Sequence, residues 1–152
     1  MQSKRLIKEL LAQIFFQMIS AKSLRTNWAS FCVQGVNLDF DAISRALNLS
    51  PTHTHRAGDP SRLKSEQYPR DMWSLKSPLA HEELLDTHLK WLANQLRPHY
   101  AYIKSLKSPA TDIYIFCAYT TEAEQNDFSL SSEALEICTA LGIPLDFSIL
   151  AI

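Results

Sequence analysis

Apolar and polar residues alternate along several short segments of the chain, as they do in strands that bury one face of a sheet. The first of these segments runs from Trp28 to Gly35, with Ala29, Phe31 and Val33 on the same side. The same alternation predicts four more strands, at residues 72–76, 112–119, 128–130 and 145–149.

Between these strands, apolar residues recur at the three- and four-residue spacing of helices. Asp39 is a good N-cap for a helix that ends near Asn48, and Ser131 is a good N-cap for a last helix that ends before Gly142. The longest helix is predicted over 79–97. A short helical turn follows it near residue 100.

The predicted order is therefore β-α-β-α-β-β-α-β, with a hairpin between the segments 112–119 and 128–130. This order indicates an α+β domain with a mixed, mainly antiparallel sheet covered by helices, in the manner of ferredoxin-like folds. Residues 52–71 show neither the spacing of a helix nor the alternation of a strand, and they contain two prolines. This predicts a long irregular loop.

The N-terminal segment has its own pattern, with paired apolar residues every four positions, which predicts an amphipathic helix before Ser20. A signal peptide is a second interpretation, and a natural start at Met18 is a third. We divide the chain into a helical extension, residues 1–27, and a single α+β domain, residues 28–152.

Composition places the protein among ordinary globular domains, since 46% of its residues are hydrophobic and 20% are charged. No apolar run is long enough to cross a bilayer, so we expect no membrane partner. Three widely spaced cysteines inside apolar segments, Cys32, Cys117 and Cys138, are typical of buried thiols and favour the cytoplasm.

Several short pieces of sequence resemble a bacterial family, the domain of unknown function 4279. These pieces are residues 37–52, 58–59, 73–75 and 129–135, and the resemblance covers about 28–150. It implies a small α+β domain without an established activity. Because members of the family occur near toxin genes, it also makes an immunity role a hypothesis.

Known catalytic signatures are absent from the chain. Three glycines, separated by 23 and 84 positions, exclude the glycine spacing of phosphate-binding loops and of a nucleophile elbow. We therefore expect no catalytic residues, no cofactor and no metal. The one alternative is a small ligand, metal or enzyme site that uses the 52–71 loop, for which the candidates are His53, His55, Arg56, Asp59 and Trp73.

Charge is distributed unevenly along the chain. After Lys107 there are seven acidic residues and no lysine or arginine, whereas residues 1–107 carry fifteen bases and nine acids. Either the two regions neutralise each other in the fold, or the acidic one forms a patch for a basic protein partner. Such a patch would consist of Glu122, Glu124, Asp127, Glu133 and Glu136.

These observations favour a non-enzymatic protein-interaction module, immunity-like in that it would neutralise a toxin. The alternatives are the site in the 52–71 loop and nucleic-acid binding through the basic two-thirds of the chain. Acidic residues interspersed among the bases, such as Asp59, Glu66 and Asp71, weaken the nucleic-acid alternative.

Overall fold

The computed structural model describes residues 26–62, 65–122 and 127–151. The predicted N-terminal helix lies outside these residues. The strands are β1 (Thr26–Gly35), β2 (His53–His55), β3 (Asp71–Lys76), β4 (Asp112–Thr121) and β5 (Leu145–Ala151). The helices are α1 (Phe40–Leu47), α2 (Leu85–Leu96), α3 (Tyr100–Ser105) and α4 (Ser132–Leu141), with a 3₁₀ turn, Arg97–His99, between α2 and α3.

The five strands form one sheet in the order β2-β3-β1-β4-β5. β1 is antiparallel to both of its neighbours, β3 and β4, and β2 is antiparallel to β3, whereas β5 is parallel to β4. The sheet is therefore mixed and mainly antiparallel, as the sequence predicts.

The helices pack on one face of this sheet. The apolar core lies between the helices and the sheet, and all of its strand residues point to the same face of the sheet. Examples are Phe31, Leu75 and Ile115, which are neighbours in register. Trp73 is fully buried there, and its indole N–H donates to the Ser44 hydroxyl of α1 at 3.0 Å.

Both predicted N-caps are confirmed. The Asp39 side chain accepts from the Ala42 N–H at 2.9 Å, and Ser131 Oγ accepts from the Ala134 N–H at 3.1 Å. Gly142 takes the left-handed conformation after α4, with φ of 61°. These caps depend only on contacts between residues close in sequence, which is why the pattern predicted them.

Two predicted strand assignments are wrong. Residues 128–130 form no strand, and β4 pairs instead with β1 and β5, so the predicted hairpin does not exist. Residues 53–55, assigned to an irregular loop, form the edge strand β2. The observed order is β-α-β-β-α-α-β-α-β, and the described hairpin joins β2 to β3.

The long helix begins later than predicted, at Leu85 rather than Leu79. Glu82 and Glu83 precede it, and the acidic residue of its first turn is Asp86. Asp86 accepts from the Ser131 N–H at 2.7 Å, so it ties the start of α2 to the start of α4. Among the residues described, no helix combines the length and apolar character needed to cross a bilayer.

One buried carboxylate holds the β2–β3 hairpin and the segment before α1 together. Asp71 accepts from the backbone N–H groups of Leu38 and Ala57, each at 2.9 Å, and from Arg56 Nη1 at 2.8 Å. The Arg56 guanidinium also lies 3.7 Å from the centre of the Phe40 ring. The hydrogen bond from Ala57, with those from Arg56 and Leu38, lowers the pKa of Asp71 despite its burial.

We expect Asp71→Asn to lower the free energy of unfolding at pH 7 by about 2 kcal/mol, because it weakens charge-assisted hydrogen bonds inside the fold. Urea denaturation measures this. Since the folded pKa of Asp71 is depressed, its contribution is present above the unfolded pKa of about 3.9 and is lost as the pH falls through the folded pKa.

The matched control is Asp112→Asn, which removes the exposed partner of Arg70 and should cost less than about 1 kcal/mol. Equal losses for the two variants at pH 7 would contradict the role of Asp71 in the fold. So would a difference between wild type and Asp71→Asn that stays constant down to pH 2.

Candidate functional site

On each strand, the side chains that alternate with the core residues point to the second face of the sheet. On β1 these residues include Trp28, Ser30 and Cys32, and on β4 they include Tyr114 and Phe116. None of these side chains belongs to the apolar core between sheet and helices. In the described ranges no helix packs on this face, which we call the open face.

Small side chains form the middle of the open face. Ser30, Cys32 and Ser74 lie on the neighbouring strands β1 and β3, with Cys32 opposite Ser74 in register. All three are buried, and the larger side chains of His53, Tyr114 and Phe116 lie around them. The result is a hollow of about 530 Å³, which we call the open-face trough.

One wall of the trough is a pair of histidines on β2. His53 and His55 point to the same side because strand side chains alternate, and His53 Nε2 lies 3.0 Å from His55 Nδ1. The Tyr68 ring stacks on the His55 ring, with 3.6 Å between their centroids and 8° between their planes.

The loop between β2 and β3 holds Tyr68 in this position. Its carbonyl accepts from the Gly58 N–H at 2.8 Å, and its own N–H donates to the Asp59 carbonyl at 2.9 Å. Gly58 has φ of 89°, a conformation that a residue with a side chain rarely adopts. The position of the Tyr68 ring in the histidine wall therefore depends on a turn that needs glycine.

Burial lowers the pKa of His55, and the neighbouring His53 lowers it further. Asp59 and Asp71 act in the opposite direction but less strongly. His55 is therefore neutral at pH 7, so that the two imidazoles can share one hydrogen bond.

The far wall is aromatic and carries a lysine at its end. The Trp28 and Phe116 rings lie 5.3 Å apart, and Lys76 Nζ lies 4.8 Å from the centre of the Trp28 ring. Lys76 Nζ is also 3.1 Å from His81 Nε2. Arg62 lines the trough as a second cation.

The trough therefore combines aromatic rings with positive charge, and none of the described residues that line it is a carboxylate. Asp112 and Asp146 lie on the far side of Tyr114 and Phe116, where they line a neighbouring hollow of about 710 Å³. The aromatic wall thus separates a basic from a partly acidic half of the open face.

Cys32 at the floor of the trough is not an activated nucleophile. Burial raises the pKa of its thiol to about 12, more than the Tyr114 hydroxyl lowers it. Burial also raises the pKa of Tyr114 to about 12. Both groups stay protonated at neutral pH, so neither offers the anion that covalent or base catalysis requires.

The structure separates the five residues predicted for the loop site. His53 and His55 line the trough together. Trp73 lies on the helix-covered face, Arg56 binds Asp71, and Asp59 accepts from the Arg56 N–H at 2.7 Å within a turn. Among the described residues, no three histidine, cysteine or acidic side chains are grouped so that they could hold a metal ion.

Of the predicted acidic patch, four residues are described, and two of them form ion pairs. Glu133 lies 3.5 Å from Lys90, and Glu136 lies 3.5 Å from Arg97 and accepts from the Tyr100 hydroxyl at 2.9 Å. Glu122 and Asp127 are exposed. Glu124 lies outside the described residues.

Most residues of the trough were not among those predicted from sequence, namely Trp28, Ser30, Cys32, Thr52, Arg62, Tyr68, Met72, Ser74, Lys76, Tyr114 and Phe116. The signal for several of them was present, because Trp28, Tyr114 and Phe116 are large residues at the polar positions of alternating strands. Large aromatic side chains on a sheet face that none of the described helices covers are typical of a binding surface.

The fold and the trough thus define a class of protein, a small α+β domain with helices on one face of its sheet and a concave aromatic surface on the other. The model of the family described as domain of unknown function DUF4279 matches residues 24–151. The chain belongs to this family, as its short motifs predict. No curated protein and no solved structure matches the chain.

We expect Tyr68→Ala to raise the pKa of His55, because the stacked ring contributes to the burial that lowers it. The measurement is an NMR pH titration of the histidine Cε1–H signals. Tyr102→Ala, on α3, is the control and should leave the His55 titration unchanged. A His55 pKa that is the same in wild type and Tyr68→Ala would contradict the stacked geometry.

Proposed function

We propose that this protein is a non-enzymatic binding module whose ligand lies in the open-face trough. The observation that carries the proposal is the trough itself, a hollow of about 530 Å³ floored by small side chains and walled by aromatic and basic ones. This size is within the range of about 300–1,000 Å³ that is usual for small-molecule sites.

The chemistry of the trough supports binding rather than catalysis. Two groups that line it, the Cys32 thiol and the Tyr114 phenol, have raised pKa values and stay protonated at neutral pH. His55, whose pKa is lowered, is hydrogen-bonded to His53 and covered by Tyr68, so its ring is already engaged by neighbouring groups.

A basic protein partner for the acidic residues stays a second prediction. The ion pairs of Glu133 with Lys90 and of Glu136 with Arg97 reduce the net charge that such a partner would meet. The immunity-like role, the cytoplasmic location and binding of nucleic acid also stay predictions.

We further propose that β1 to β4, with α1 and α2, form a ferredoxin-like arrangement to which α4 and β5 are added. What supports this is the strand order, since β3 lies between β1 and β2, and β1 lies between β3 and β4. The connection from β1 through α1 to β2 and the one from β3 through α2 to β4 therefore each join two parallel strands that are not neighbours, as in a split βαβ unit.

The function is tested by filling the trough from its floor with Ser74→Trp. Native mass spectrometry, after incubation with a small-molecule extract of cells, should show ligands bound to the wild type and none bound to Ser74→Trp. The matched control is Ser105→Trp, at an exposed position on α3, which should bind as the wild type does.

Circular dichroism of both variants checks that the fold is kept, which we expect because Ser74 faces away from the helix-packed core. Two results would overturn the proposal. One is a wild-type protein that binds nothing, and the other is a folded Ser74→Trp variant that binds the same masses as the wild type.

A further inference from the structure

We infer that the ligand of the open-face trough is a flat aromatic molecule that carries a negative charge, the chemistry shared by nucleoside monophosphates and aromatic carboxylates. This inference rests on the proposed function. It adds the chemical class of the ligand, which follows from the shape, the rings and the charge of the trough.

The shape favours a flat molecule. His53, Ser74, Cys32 and Tyr114 form one row across four adjacent strands, β2, β3, β1 and β4. Adjacent strands are about 4.8 Å apart, so the two walls lie roughly 14 Å from each other over a floor of small side chains. A planar ring system can lie flat on such a floor between the two walls.

The walls favour an aromatic molecule. Trp28 and Phe116 are only half-buried, as are Tyr68 and Tyr114, so parts of their rings stay accessible on the open face. Stacking of a planar base on an aromatic side chain stabilises a complex and tolerates many ring types. Several rings around one floor can therefore select aromaticity without selecting one particular heterocycle.

The charge favours an anion. Within the described ranges, neither Lys76 nor Arg62 has a carboxylate partner. Trp28 and His81 position the Lys76 ammonium at the end of the aromatic wall, where a phosphate or carboxylate of a stacked ligand would meet it. The carboxylates of Asp112 and Asp146 lie in the neighbouring hollow.

Tryptophan NMR signals provide a local readout of binding. The protein has three indole N–H groups, from Trp28, Trp73 and Trp91. Trp28 lines the trough, whereas Trp73 is buried on the opposite face and bonded to Ser44, so it serves as an internal control. The variant Trp28→Phe assigns the Trp28 signal.

The experiment titrates the ¹⁵N-labelled full chain with four probes. Adenosine 5′-monophosphate and indole-3-acetate carry both a ring and a charge, adenosine carries only the ring, and inorganic phosphate carries only the charge. We expect at least one of the first two to shift the Trp28 signal while Trp73 stays in place. Adenosine should bind at least about tenfold more weakly because it lacks the charge-assisted contact, and phosphate should bind at least about tenfold more weakly because it lacks a ring that can stack.

Lys76→Met should lower the affinity for the charged probe about tenfold, because it removes the charge-assisted contact between the Lys76 ammonium and the anionic group of the probe. Lys104→Met, at an exposed position on α3, is the matched control and should leave the affinity unchanged. The probe that binds identifies the source of the ligand, a nucleotide in one case and an aromatic acid in the other.

Three results would overturn the inference. The first is that neither charged probe shifts Trp28, the second is that adenosine binds as well as its monophosphate, and the third is that a single-stranded oligonucleotide binds more tightly than both charged probes. If neutral ligands bind the wild type but not Ser74→Trp, the proposed function stands and only the inferred ligand class fails.

Discussion

The position of β1 in the centre of the sheet is the constraint that shapes both faces of the molecule. β1 hydrogen-bonds to β3 along one edge and to β4 along the other, and its alternating side chains reach both faces. Phe31 and Val33 on one face are fully buried under the helices. Ser30 and Cys32 on the other are small, and this difference in size between the two faces creates both the core and the trough.

The trough also depends on how the β2–β3 hairpin is held at the edge of the sheet. Asp71 joins the ends of the hairpin to the segment before α1 through two backbone N–H groups and Arg56. A second set of backbone hydrogen bonds between Tyr68 and the turn at Gly58 brings the tyrosine ring onto His55. The described residues of the loop, which show no periodicity in the sequence, are thus held by contacts that the sequence pattern does not display.

The two wrong strand assignments have a common physical cause. β2 has only three residues, His53–His55, too few for an alternation to be visible, and its strand character comes from pairing with β3. Residues 128–130 show an apolar pattern but form no strand. Their apolar Phe128 contacts Tyr119 and Phe147 by its ring and not by backbone pairing. Local pattern describes the side chains well, but strand pairing is decided by partners distant in sequence.

The sequence alone predicts the α+β class, the central strands, the two capped helices and the family. It does so because alternation, capping and short motifs depend on neighbouring residues. Of the candidate site, this reading identified only the pair His53 and His55, whose two-residue spacing places them on one side of a strand. Only the tertiary structure shows that Trp73 lies on the covered face and that Trp28, Ser74 and Tyr114 share the open face. The physical reason is strand pairing. A shift of one residue in the pairing exchanges the two faces of a strand, and the pairing is decided by which faces can be buried together, often between residues far apart in the chain.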